Sequence, residues 1–130
     1  MSDEPAPDYE ALGREVQRQL WGPAVADSVR PSFPAADLAP DFFPLVREFC
    51  FGMFWSRPGL ATRDRSLITC AMLAALGRQE ELRGHLAGAL NVGLTKEELV
   101  EMLMQVAIYA GVPAAVNALT TAAAVLDPKT

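Results

Sequence analysis

Apolar residues recur at helical spacing along most of this chain, and the residues that punctuate them fall where helices end. The pattern predicts an all-α protein of about six helices. It contains neither the alternating β-branched runs of strands nor an internal repeat. Asp8 is placed to cap a first helix reaching about Trp21, with Glu10 favourable in its first turn, and Gly22-Pro23 stops it. Residues 22–38 read as a proline-rich connection, and residues 1–7 as a flexible tail ahead of a single domain covering 1–130. Pro40 suits the first turn of a second helix whose apolar face carries Phe42, Phe43, Val46, Phe49 and Cys50.

A turn follows at Trp55-Ser56-Arg57-Pro58-Gly59-Leu60. Thr62 then caps a third helix from Arg63 to Leu76, closed by Gly77 in the left-handed conformation. The middle of that helix, Leu67 to Leu76, has no polar face and is expected to be central. A fourth helix covers about Gln79 to Asn91 and ends at Gly93. Thr95 followed three residues later by Glu98 is a capping box that opens a fifth helix to Ala110. Gly111 stops it, and Pro113 starts a sixth helix to about Leu126.

Composition changes this picture at one place. From Met102 to Leu126 there are 25 consecutive residues without Asp, Glu, Lys or Arg. A membrane span is the weaker reading of that run, because it contains Gln105, Asn117, Thr120 and Thr121 and is broken at Gly111-Val112-Pro113. A domain of 130 residues buries roughly 68% of its unfolded surface and has too little interior to hide two helices that are apolar all round. We therefore expect these helices to pack in a homo-oligomer.

Charge narrows the partners. The formal net charge of −5 comes with no stripe of Lys and Arg, so the electrostatic basis of nucleic-acid binding is missing. The N-terminal segment is acidic and carries prolines where a secretory signal is basic and then apolar, which points to the cytoplasm. Cys50 and Cys70 are too far apart for a CxxC pair and are expected to pack as small hydrophobes. One histidine, two distant cysteines and no HExxH leave too few ligands for a metal, and neither a glycine-rich phosphate loop nor a nucleophile elbow is present.

The chemistry that remains centres on His85, the only histidine. It lies four residues after Glu81 and seven after Arg78, so the three share one stripe of the fourth helix beside the apolar stripe of Leu82, Leu86, Ala89 and Leu90. An imidazole titrates near 6.5, and a carboxylate one turn away can orient and charge it, which suits a proton donor. The competing reading is a surface ion pair worth a few tenths of a kcal/mol. Gly84 and Gly88 flank His85 and each costs about 1 kcal/mol relative to Ala, so close approach of a neighbouring helix or a ligand is expected there. Arg57, Arg63 and Arg65 cluster around a turn and a helix start. They suit a carboxylate, or pair with Asp64 and Glu48.

Four strings carry a resemblance: Phe51-Gly52-Met53-Phe54-Trp55-Ser56-Arg57-Pro58-Gly59-Leu60, Arg65-Ser66-Leu67-Ile68-Thr69, Glu81-Leu82-Arg83-Gly84-His85 and Tyr109-Ala110-Gly111-Val112-Pro113-Ala114-Ala115. In this order and spacing the chain resembles the carboxymuconolactone decarboxylase family over about residues 14–126. The resemblance implies the all-helical alkylhydroperoxidase D-like fold, assembled as a homotrimer or homohexamer. The redox branch of that superfamily carries a CxxC and a following His, whose positions fall here on Arg78, Glu81 and His85, and an upstream glutamate that falls on Ser66. Without two adjacent thiols there is neither nucleophile nor resolving partner, which excludes thiol peroxidase chemistry at that site.

In the family reaction 4-carboxymuconolactone loses CO2 to give the β-ketoadipate enol-lactone. No cofactor is implied, because the departing electrons spread through the alkene into the lactone carbonyl. By this resemblance His85 protonates the dienolate, Glu81 orients His85, and Arg57, Arg63, Arg65, Ser66 and Trp55 bind the small carboxylate or lactone substrate. Decarboxylases of the family often carry an acidic residue at the position of Met53 and Asn at that of Val92, so this chain has a less polar version of both. That difference keeps open a same-fold isomerase, dehydratase or cyclase of a biosynthetic intermediate, and a non-catalytic member. The small domain also leads us to expect a neighbouring subunit to complete the pocket near His85.

Overall fold

The computed structural model describes residues 3–28 and 34–128, and these are helical with no strand among them. Residues 29–33 of the expected connection and residues 1–2 of the expected tail lie outside the described residues. The chain divides into two compact units, up to Gly59 and from Leu60 onward.

In the first unit α1 (Tyr9–Trp21) begins as expected, with the Asp8 side chain accepting from the Ala11 N–H at 3.0 Å. It ends at Gly22, whose φ of 85° is one that L side chains rarely adopt. Within the expected connection lie two short helices, α2 (Pro23–Ala26) and α3 (Pro34–Leu38). Each opens on a proline, whose ring presets the backbone for a first turn.

The expected second helix is α4 (Phe42–Val46) running on into a π-helix, Arg47–Trp55. Its i→i+5 bonding rotates the following side chains away from a 3.6-residue register. Phe42 and Phe49, expected on the buried face, are exposed; Phe51, Gly52 and Trp55 are buried instead. Phe51 packs edge-on against Trp21, ring centroids 5.6 Å apart, and against Trp55 at 5.7 Å.

Where α1 meets the π-helix the two backbones nearly touch. A Cβ on Gly13 would fall 2.2 Å from the Arg47 carbonyl oxygen, and one on Gly52 would fall 2.1 Å from that of Tyr9. Arg47 then fastens the crossing. Its guanidinium donates to Gln17 Oε1 at 2.7 Å, Glu10 Oε1 at 3.1 Å, and the carbonyls of Ala26 at 2.8 Å and Ser28 at 3.2 Å. The last two are backbone acceptors at the end of α2, where a helix leaves carbonyls unsatisfied.

The second unit consists of α5 (Thr62–Leu76), α6 (Gln79–Asn91), α7 (Lys96–Ala110) and α8 (Val112–Leu126), packed around one another. Gly77, at φ 74°, closes α5, and Arg78 N–H bonds back to the Leu73 carbonyl at 2.9 Å, so α5 and α6 form a tight antiparallel hairpin. Thr62 is the first residue of α5 and does not cap it; Ala61 holds the cap position. The Thr95–Glu98 capping box forms in full, with bonds of 3.0 and 3.1 Å. Leu82, Leu86, Leu99 and Leu103 are completely buried around Cys70, Ala74 and Ala118. Each contributes roughly 1.5–3 kcal/mol, which outweighs exposed pairs such as Lys96–Asp127 at 3.8 Å.

The apolar helices are only half covered. On α5 the buried face is Ser66, Cys70 and Ala74, packed against α6, α7 and α8, while Ile68, Met72 and Leu76 form an exposed stripe in the single chain. In the uncharged run, Ile108 is 76% exposed, Tyr109 86% and Val112 63%. Among the described residues no helix is long and apolar enough to cross a membrane.

Candidate functional site in the second unit

α6 positions His85. Glu80 and Glu81 occupy its first turn, where the helix dipole favours carboxylates, and Leu82, Leu86 and Ala89 anchor it in the core with no exposed surface. His85 follows that stripe by one position and is half-buried, with its Nδ1 shielded from solvent. Burial pushes the imidazole below its ordinary pKa, and the Glu81 carboxylate acts in the opposite direction. Glu81 itself is exposed. The two residues lie one turn apart on α6, with the imidazole partly buried and the carboxylate at the surface.

The depressed pKa has a consequence for stability. The unfolded chain holds a proton on this histidine up to about pH 6.5, whereas the folded chain releases it at a lower pH. Folding is therefore fully favoured above that value and loses stability as the pH falls toward the folded pKa. We expect the urea midpoint to drop between pH 7.5 and 5.5, and His85→Gln to flatten that slope. An equal slope in both proteins overturns the assignment.

Of the arginines, Arg63 reaches across to Glu98, the capping residue of α7, and lies 3.9 Å from Asp64. It ties the starts of α5 and α7 together. Arg65 donates its Nε to the Leu60 carbonyl at 3.2 Å, which holds its stem against the loop before α5. Arg57 is exposed just after the π-helix, and Trp55 is buried against Phe51; both belong to the first unit.

Ser66, by contrast, is completely buried, and among the described residues its Oγ has no hydrogen-bond partner. The family resemblance points to this position, and nothing local in the sequence marks its burial. At Gly84, among the described residues nothing lies within 4 Å of where its Cβ would be, so no helix among them makes the close approach expected there. Gly88, one turn on, is buried.

The cysteines are not poised as nucleophiles. Burial pushes the Cys70 thiol up to about 12, and burial raises that of Cys50, partly offset by a hydrogen bond with Trp55. Among the described residues no group of three or more His, Cys, Asp or Glu side chains could hold a metal ion.

Comparison with known proteins places these elements in a family. Residues 40–124 match the model of the carboxymuconolactone decarboxylase family. Over 78 residues the chain is 49% identical to 4-carboxymuconolactone decarboxylase of Acinetobacter baylyi, covering 60% of this chain and 58% of that protein. It is 36% identical over 75 residues to nitrosuccinic acid decarboxylase of Metarhizium robertsii, covering 58% of this chain and 52% of the relative. An uncharacterized protein of Paracoccus denitrificans is 34% identical over 80 residues, 60% of each chain. The match thus spans between about half and three fifths of these relatives' length.

Proposed function

The chain belongs to the carboxymuconolactone decarboxylase family, and from that premise we propose that it is a cofactor-independent carboxy-lyase acting on a small carboxylated lactone such as 4-carboxymuconolactone. The observation that carries the reading is His85, half-buried on α6 beside Glu81 and inside the matched segment. The two relatives with assigned activities are both decarboxylases with different substrates. Those substrates share one chemical property: loss of CO2 leaves a carbanion that a neighbouring electron-withdrawing group delocalises. The substrate is its own electron sink, so the protein has to bind the acid and deliver a proton.

In this mechanism the bond to the carboxylate carbon breaks, CO2 leaves, and the electron pair spreads into the lactone carbonyl as a dienolate. His85 then gives its proton to carbon. Burial keeps the free imidazole toward neutrality, so the proton has to be secured on substrate binding, when the substrate's negative charge raises the imidazole pKa. Glu81 works in the same direction. Arg65, held by its bond to Leu60, is the cation of this unit that we assign to the substrate carboxylate.

The exposed Ile108, Tyr109, Val112 and Val116 support assembly through α7 and α8 into a homotrimer or homohexamer, and we place the protein in the cytoplasm. The test is CO2 release from 4-carboxymuconolactone and from nitrosuccinic acid by the purified protein, with sedimentation to read its mass. Turnover of the lactone is expected. Release from neither acid sinks the carboxy-lyase reading, and a monomer that turns over sinks the assembly.

A further inference from the structure

Two helical threonines of the second unit spend their hydroxyls on their own helix. Thr69 donates to the Arg65 carbonyl at 2.8 Å and Thr120 to that of Val116 at 2.9 Å, each one turn back. Thr121, buried like Ser66, donates to Gln79 Oε1 at 2.5 Å. Ser66 does neither. It has no exposed surface, and among the described residues its Oγ makes no hydrogen bond, although a buried hydroxyl left unsatisfied is costly.

The surroundings limit what can satisfy it. Ser66 lies one turn before Cys70 on the buried face of α5, and Cys70 shares a core cluster with Leu82, Leu86 and Ala89 of α6. Counting from the turn at Gly77-Arg78, Ser66 stands level with Ala89, about one helical turn from His85. Of the polar side chains on α6, Glu80, Glu81, Arg83 and Asn91 are exposed, and only Gln79 and His85 are partly buried. Gln79 accepts from Thr121 and lies ten residues before Ala89, about 15 Å along α6 from the level of Ser66. The remaining polar group on that helix is the imidazole, whose Nδ1 is shielded from solvent.

We propose that Ser66 is a positioning residue for His85, its buried hydroxyl holding the imidazole through one ordered water and so fixing which ring nitrogen carries the proton. A water that bridges two buried polar groups is nearly as good as a direct bond and removes the cost of an orphaned hydroxyl. A fixed tautomer matters because a proton donor has to present N–H on the substrate side. The role rests on the proposed decarboxylation only for its effect on rate.

Because His85 is the only histidine, its two ring nitrogens can be read by 15N NMR without ambiguity. We compare wild type, Ser66→Ala and Ser66→Thr at pH 7.5. In Ser66→Ala the imidazole is expected to move toward a mixed tautomer population, and kcat to fall about tenfold. Its melting temperature should stay close to that of wild type, since only a water-mediated bond is lost and the packing of α5 is kept. Ser66→Thr, which keeps the hydroxyl, should retain the wild-type nitrogen shifts. Unchanged imidazole shifts in Ser66→Ala overturn the proposal, whatever happens to the rate. If Ser66→Ala fails to fold, loss of the wild-type shifts in a folded Ser66→Thr overturns it equally. Should wild type release CO2 from neither acid, the carboxy-lyase reading fails while the nitrogen shifts still decide this one.

Discussion

His85→Ala is expected to lower kcat for CO2 release by about 10²–10⁴-fold, the range lost when a positioned proton donor is removed. The fold should survive, because the leucines that carry the core of this unit, Leu82 and Leu86, flank His85 in sequence and stay in place. The pH dependence gives a second readout. The general acid has to be protonated in the complex, so kcat should decline as the pH rises through the bound imidazole's pKa. Glu81 raises that pKa, and Glu81→Gln should therefore move the declining limb to lower pH while costing little stability, since its side chain is exposed. Assays of CO2 release between pH 5 and 9 check both. A His85→Ala protein with wild-type kcat would remove the imidazole from the mechanism.

How much of this was legible beforehand differs between residues for physical reasons. Three helix ends governed by local chemistry match their sequence signals, the Asp8 cap, the Thr95–Glu98 box and the left-handed Gly77, whereas the cap expected of Thr62 falls to Ala61. The Glu81–His85 stripe is local in the same sense. What a 3.6-residue pattern cannot express is the π-helix, so Phe49 was placed on the buried face that Phe51 and Trp55 occupy. Arg47 gave a weak signal, a lone cation in an apolar stretch, and its partners at Gln17, Ala26 and Ser28 are too distant in sequence to be inferred. The arginine cluster was visible, but which member bridges to Glu98 is a matter of tertiary packing. Ser66 was reached only through the family resemblance, because a serine's burial depends on which face of α5 meets its neighbours.

Glycine shows the same contrast with opposite signs of free energy, and this supplies the largest stability effect expected here. A helix-interior Gly→Ala change ordinarily stabilises by about 0.5–1 kcal/mol, by restricting the unfolded chain and improving helix propensity. At Gly84, where nothing in the described chain lies within 4 Å of the new methyl, that gain is expected in full. At Gly52 the same methyl would sit 2.1 Å from the Tyr9 carbonyl oxygen and 2.9 Å from its carbon. Both are backbone atoms of α1, so no side-chain rotation relieves the contact. The two helices have to separate, which loosens the Arg47 bonds to Glu10 and Gln17 and the edge-on contact of Phe51 with Trp21. We expect Gly52→Ala to destabilise by about 3 kcal/mol, at the upper end of overpacking costs, and Gly13→Ala to behave alike because its methyl meets the Arg47 carbonyl at 2.2 Å. Urea midpoints of the three alanine variants measure this directly. Equal midpoints for Gly52→Ala and Gly84→Ala would mean that the two backbones do not meet at Gly52 as described.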